Sequence, residues 1–249
     1  MHLLLALVIA QSSPTITPKA TMVTVDSGVQ DEVLDWGGTG RNVLLLAGLG
    51  NTGYDFMQIV PHLKQNYHVY SLTRRGFGNS SKPKPTVANY SADRLGDDVM
   101  AVLKQMNIDK PILIGHSFAG EELSDIGTRY PSSVAGLIYL EAAYFYAFDV
   151  GVPRQQPGLG SPPLAFALLN GVRSFKDPIT VPILAIYAQP GDNAQPGQNA
   201  AEDQAQIAGV KKSQPKATVT VISNGSHDIY VSNAGDVLRD IDAFISQLP

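Results

Sequence analysis

Residues 111–130 read PILIGHSFAGEELSDIGTRY, a short apolar run that passes directly into a helical pattern through Gly115-His116-Ser117-Phe118-Ala119-Gly120. Pro111 to Gly115 has the length and composition of a buried strand. Glu121 to Tyr130 continues as a helix that stops before Pro131. A serine on so sharp a strand-to-helix turn stands clear of the sheet. Its hydroxyl becomes a nucleophile once a base takes its proton. The turn tolerates only small flanking residues, and Gly115 and Ala119 supply them. The helix start, and the N–H of Phe118, then point at a developing oxyanion. Strand, turn and helix fall where that chemistry needs them, so Ser117 is the candidate nucleophile.

Outward from this junction the chain alternates apolar runs with amphipathic stretches, the pattern of a mostly parallel sheet covered by helices. Thr21 to Val25 and Asp31 to Asp35 form an opening strand pair around Gly28. Val43 to Ala47 is apolar at every position, as a strand buried on both faces must be. Further strands fall at Tyr67 to Leu72, Val134 to Leu140, Val181 to Ala188 and Ala217 to Ile222. Helices are expected at Ser91 to Met106, with Ser91 as cap, and at Ala200 to Lys212 and Ala234 to Leu248. Tyr146 to Pro178 resists this alternation. It is rich in proline and glycine around one apolar piece, Leu164 to Leu169, and reads as a short cap. Residues 19–249 are thus one α/β domain of eight strands, with a cap excursion at 146–178.

A base should follow the last strand. Among the five histidines, His227 in Asn224-Gly225-Ser226-His227-Asp228 stands at that place. His116 adjoins the nucleophile, but its side chain should point away from Ser117. The acid that orients the imidazole is expected between serine and histidine in chain order. Asp192, just past Val181 to Ala188, is favoured. Glu141, at the end of the preceding strand, is the alternative, and Asp228 cannot easily turn back onto its neighbour. A second oxyanion donor belongs in the loop after Val43 to Ala47. That loop is Gly48-Leu49-Gly50-Asn51-Thr52-Gly53, with the Leu49 N–H best placed. Its glycines fall at G-x-G-x-x-G spacing, but it has no Walker Gly-Lys-Ser/Thr, which argues against a P-loop nucleotide site.

Bulk composition narrows the partners. The net charge is −4 and no dense Lys/Arg run occurs, so nucleic acid and anionic membrane surfaces find no electrostatic footprint. The absence of cysteine excludes disulfides, thiolate metal sites and a cysteine nucleophile. Met1 to Ala10 is too short an apolar run to span a bilayer. Residues 1–18 read as a leader segment, which would place the protein in the periplasm or outside the cell. If that segment is not a signal, the cytoplasm is expected.

These residues together resemble the α/β-hydrolase superfamily from about Thr24 to Leu248. Within it the resemblance is to bacterial esterase-like hydrolases of the pimeloyl-carrier-protein methyl ester carboxylesterase type. It is carried by LLLAGLGNTG (44–53), YSLTRRGFGNSS (70–81), GHSFAGEEL (115–123), VAGLIYLEAAY (134–144) and ILAIYAQPGD (183–192). TRRGFGNSS is similar to the superfamily's D-x-R-G-x-G-x-S loop, with Thr73 in place of the aspartate and Arg75 in a structural role. The resemblance implies a triad of Ser117, Asp192 and His227, with Leu49 and Phe118 as oxyanion donors, and no metal or organic cofactor. The cap departs from the usual larger helical one, so the family's substrate does not transfer.

The reaction expected is hydrolysis of a small to medium carboxylic ester through an acyl-enzyme. Lactones (macrolides included) and thioesters are open to the same chemistry. A non-enzymatic ligand-binding protein on this fold, or cofactor-free peroxide chemistry, are the rivals. Haloalkane and epoxide opening are disfavoured, because they use a carboxylate at the elbow where this chain has Ser117. The expected partner is a small-molecule ester, with no stable membrane insertion. A homodimer in which a neighbouring subunit covers the site is the alternative to an open monomer rimmed by Phe145, Tyr146, Phe148, Leu164 and Phe166.

Overall fold

The computed structural model describes residues 16–145, 147–149, 162–173, 175–176, 178–189 and 200–249. Eight strands form one sheet: β1 (Lys19–Asp26), β2 (Val29–Gly37), β3 (Arg41–Leu46), β4 (Tyr67–Thr73), β5 (Ile112–His116), β6 (Gly136–Leu140), β7 (Ile183–Gln189) and β8 (Thr218–Ser223). Their order is β1-β2-β4-β3-β5-β6-β7-β8. β1 and β2 are a hairpin, and β2 also runs antiparallel to β4. Every other pair is parallel. Gly28 makes the hairpin turn at φ 69°, a left-handed conformation that costs glycine least.

Period-two alternation divides the core between the two faces of this sheet. In β3, Leu44 and Leu46 face one side while Val43 and Leu45 face the other, and all four are buried. This is why the run is apolar without a break. On the first face lie α1 (Ala92–Gln105), α2 (Gly120–Arg129) and, later in the chain, α4 (Ala200–Ser213). Leu95, Val99, Val102 and Leu103 of α1 face the core, and the Ser91 hydroxyl caps that helix by accepting from the Arg94 N–H at 3.4 Å. The second face is covered by α5 (Ala234–Ile245) through Val237, Leu238, Ile241 and Ile245.

Among the described residues the expected cap holds the helix α3 (Pro163–Gly171). It buries Ala167 and Leu168 and packs so closely on the helical turn Val87–Tyr90 that a Cβ on Gly171 would lie 2.5 Å from the Tyr90 carbonyl oxygen. Leu164 packs against Gly76, where a Cβ would lie 3.1 Å from its Cδ2. Phe148 and Phe175 form an isolated parallel bridge. Phe148, expected at the rim, is fully buried against Tyr139 with ring centroids 5.2 Å apart. Phe166 is half exposed. Tyr146 and residues 1–15 of the leader lie outside the described residues.

Candidate active site

β5 ends at His116, a single 3₁₀ turn covers Ser117–Ala119, and α2 begins at Gly120. Ser117 therefore carries a φ of 53°, left-handed backbone that a non-glycine residue adopts only where its surroundings enforce it. The crowding that enforces it is visible at each small residue. A Cβ on Gly115 would sit 2.9 Å from Leu123 Cδ1 and 3.1 Å from Ala119 Cβ. One on Gly120 would sit 1.8 Å from the Ala142 carbonyl oxygen. The methyl of Ala119, by contrast, is fully buried and fits.

His227 occupies the loop after β8. That loop turns through Asn224 at φ 58° and is tied to β7 by Gly225 N–H donating to the Gln189 carbonyl at 3.2 Å. Its Nε2 accepts from Ser117 Oγ at 2.8 Å, the nucleophile–base contact that sequence spacing anticipates. On the far side of the ring, Nδ1–H donates to Glu141 Oε2 at 3.3 Å. The proton positions follow from these partners, since the hydroxyl must donate and the carboxylate must accept. Mainly through the hydrogen bond to Glu141, the His227 pKa is raised above its ordinary 6.5, against the opposing effect of burial.

The carboxylate on His227 is thus the alternative of the sequence analysis. Glu141 follows the last residue of β6 at φ 49°, a bend that turns its side chain along the strand ends toward the histidine. It is nearly fully buried. Tyr144 OH donates to Oε2 at 2.7 Å and the Ala188 N–H donates to Oε1 at 2.6 Å. These donors join the imidazole in holding the anion in place, as a buried charge requires. Asp192, favoured on chain order, lies outside the described residues. Chain order favours an acid between Ser117 and His227, a condition that Glu141 meets as well as Asp192, and the sheet order sets β6 between β5 and β7.

His116 points away from Ser117 in the sense that its Nε2–H donates to the carbonyl of His227, at 2.9 Å. This ties the end of β5 to the loop that carries the base. Burial lowers its pKa to about 4, so this imidazole stays neutral wherever the protein is folded near neutrality. The loop after β3 approaches the nucleophile closely. A Cβ on Gly48 would lie 2.9 Å from His116 Nδ1 and 3.3 Å from Ser117 Cβ. Leu49, next in that loop, is exposed. Phe118, the residue after the nucleophile, is buried.

The TRRGFGNSS loop divides its labour. Arg75 is fully buried in a two-point pair with Asp98, Nε and Nη2 lying 2.5 and 2.6 Å from its oxygens. Thr73 stands where an aspartate was expected; its hydroxyl accepts the Gly53 N–H at 2.9 Å and donates to Glu32 at 3.2 Å. Arg74, which the sequence does not single out, pairs instead with Glu122 and reaches the carbonyls of Ala47 and Gly48. No helix among the described residues is long and apolar enough to cross a membrane. Among those residues no cluster of three or more His, Asp or Glu side chains is placed to hold a metal ion.

Residues 41–178 match the family model described as the alpha/beta hydrolase fold. The chain is similar to a fluoroacetate dehalogenase of Burkholderia sp, 30% identical over 120 residues, covering 47% of this chain and 40% of that protein. It is also similar to bifunctional epoxide hydrolase 2 of Mus musculus, 25% identical over 123 residues, covering 49% of this chain and 22% of that protein. In both cases the chain spans less than half of the relative's length. Among solved structures, E-2-(acetamidomethylene)succinate hydrolase superposes with a TM-score of 0.70 at 18% identity, covering 92% of this chain and 99% of that one, a likeness of fold. With a matched segment running from β3 past the elbow and through the cap helix, the chain belongs to the alpha/beta hydrolase fold family.

Proposed function

We propose that this protein is a serine hydrolase that cleaves carboxylic esters through an acyl-enzyme, with Ser117, His227 and Glu141 as its triad. The observation that carries this reading is the 2.8 Å contact between Ser117 Oγ and His227 Nε2 at a strained strand-to-helix turn. His227 takes the hydroxyl proton as Ser117 Oγ attacks the acyl carbon, then returns it to the departing alcohol. Water repeats the sequence and releases the acid. Glu141 keeps the proton on Nδ1 and stabilises the imidazolium that forms at each step. The N–H groups of Leu49 and Phe118 receive the oxyanion. The relatives named for dehalogenation and epoxide opening are similar in fold and sequence, but ring opening or halide displacement through an ester intermediate calls for a carboxylate at the elbow. This chain places Ser117 there.

A fluorophosphonate probe tests the assignment. One residue, Ser117, takes up the label, p-nitrophenyl esters are turned over, and Ser117→Ala abolishes both. Label on Ser80 or Ser124, or label that survives the substitution, overturns it. Because Ser117 and His227 act as a unit, His227→Ala costs about as much as Ser117→Ala, and the double variant little more.

A further inference from the structure

Two ion pairs from one loop are buried in this protein, and they do different things. Arg75 with Asp98 staples the loop to α1. Arg74 with Glu122 lies directly beneath the candidate oxyanion site. Its guanidinium is 3% exposed and the Glu122 side chain 2%. Nε and Nη2 lie 2.7 and 2.5 Å from the Glu122 oxygens. The remaining donors turn the other way. Nη2 donates to the Ala47 carbonyl at 2.8 Å and Nη1 to the Gly48 carbonyl at 3.3 Å. The Cζ carbon also sits over the Phe118 ring, 5.3 Å from its centroid.

The consequence follows from peptide planarity. The C=O of Gly48 and the N–H of Leu49 belong to one trans peptide and point in opposite directions. Gly48 can rotate that peptide freely, since it carries no side chain, and its backbone already lies against Ser117. Arg74 holds the Gly48 carbonyl downward, assisted by the Asn51 N–H at 3.3 Å. The Leu49 N–H is thereby turned away from Arg74, in a loop whose Gly48 lies against Ser117. The same guanidinium packs beneath Phe118, the residue that supplies the other donor.

We propose that Arg74, neutralised by Glu122, is the positioning residue of the oxyanion hole: it fixes the 48–49 peptide so that the Leu49 N–H faces the reacting carbonyl oxygen. This rests on the acyl-transfer reading above. A planar, five-donor fork can hold two carbonyls and a carboxylate together, whereas an ammonium cannot match that geometry. The pair acts on the transition state through backbone orientation and touches no substrate.

Removing one partner strands a buried charge, so the decisive variant removes both, Arg74→Met with Glu122→Leu, a replacement that buried pairs often tolerate. Activity is normalised to the fraction of Ser117 that a fluorophosphonate titrates. The expected result is a folded double variant whose kcat is lower by roughly 10- to 100-fold, short of the 10²–10³ lost when an oxyanion donor is deleted outright. KM stays within about threefold, because ground-state binding does not use the oxyanion donors. Inhibition by a trifluoromethyl ketone, which forms an oxyanion adduct, weakens by the same factor as kcat. Arg74→Lys falls between the two, and it serves as the reporter if the double variant does not fold. A folded variant that keeps its kcat and its ketone affinity overturns the proposal and leaves Arg74 a structural residue. If the unaltered protein is not labelled at Ser117, the acyl-transfer reading fails first and this inference falls with it.

Discussion

Glu141 Oε2 lies 3.3 Å from Nδ1 of His227 while Tyr144 OH and the Ala188 N–H also donate to the same carboxylate. The two residues are 86 positions apart in the chain and meet because β6 stands between the nucleophile strand β5 and β7, to which the histidine loop is tied. In the proposed triad the acid therefore comes from the end of the strand beside the one that carries Ser117. Its backbone is bent into the left-handed region to deliver it.

That placement separates two variants. Glu141→Gln lowers kcat by ~10³–10⁴ with the fold retained, the cost of losing the carboxylate that orients a catalytic imidazole. Asp192→Asn costs much less. Steady-state kinetics on a p-nitrophenyl ester decide between them, and a reversal of the two sizes returns the role to Asp192.

The pH dependence follows from the same contact. Ser117 is activated only by neutral His227, and the pKa of that group is raised above 6.5 chiefly by Glu141. The acid limb of kcat/KM accordingly has its midpoint above 6.5. Glu141→Gln moves that midpoint downward while reducing the plateau. For stability the sign is opposite to activity: the imidazolium–carboxylate contact is fully present below 6.5 and is lost as pH rises through the folded-state pKa. An acid limb that stays in place in the variant would show that Glu141 does not face the imidazole in solution.

Gly120→Ala tests the packing behind the elbow. The added Cβ would overlap the Ala142 carbonyl oxygen at 1.8 Å, and Ala142 is the neighbour of Glu141. Overpacking of this kind costs about 1–3 kcal/mol, and the backbone that yields is the segment presenting the acid. Both the unfolding midpoint and kcat should therefore drop together. Equal stability with full activity would mean that α2 shifts as a rigid body at no cost.

Asp31 gives a prediction remote from Ser117. It is fully buried, its pKa is pushed up to about 8 by burial and then by nearby Asp98, and Arg75, through its charge and its backbone N–H, opposes that rise. The folded protein holds this proton between pH 3.8 and about 8, where the unfolded chain releases it. Its contribution to stability is thus fully present below pH 3.8 and lost as pH rises to about 8. Asp31→Asn cannot lose a proton, so its melting temperature relative to the parent climbs with pH, by about 2–4 °C for each kcal/mol. Calorimetry at several pH values reads that difference directly, and a flat difference between pH 5 and pH 8 contradicts the assignment.

The sequence determined this protein's architecture and pointed to the two residues, Ser117 and His227, that the fold brings within 2.8 Å. Continuous apolar runs at 43–46, 112–115 and 136–140 leave no choice but strands buried on both faces. The small residues around Ser117 dictate a turn that nothing larger could make. His227 was legible because a single histidine follows the last strand. Those are local signals, carried by neighbouring residues. The proposed acid, Glu141, and the proposed positioning residue, Arg74, are not marked by local signals. Glu141 is one carboxylate among several until the strand order sets β6 beside β5, and TRRGFGNSS, whose likeness to D-x-R-G-x-G-x-S marks Arg75 as structural, says nothing of what Arg74 meets. Adjacent side chains on one loop diverge, and which of them turns to Asp98 and which to Glu122 depends on where α1 and α2 dock. Buried charge is affordable only where a partner waits, and the positions of partners are set by packing across the sheet.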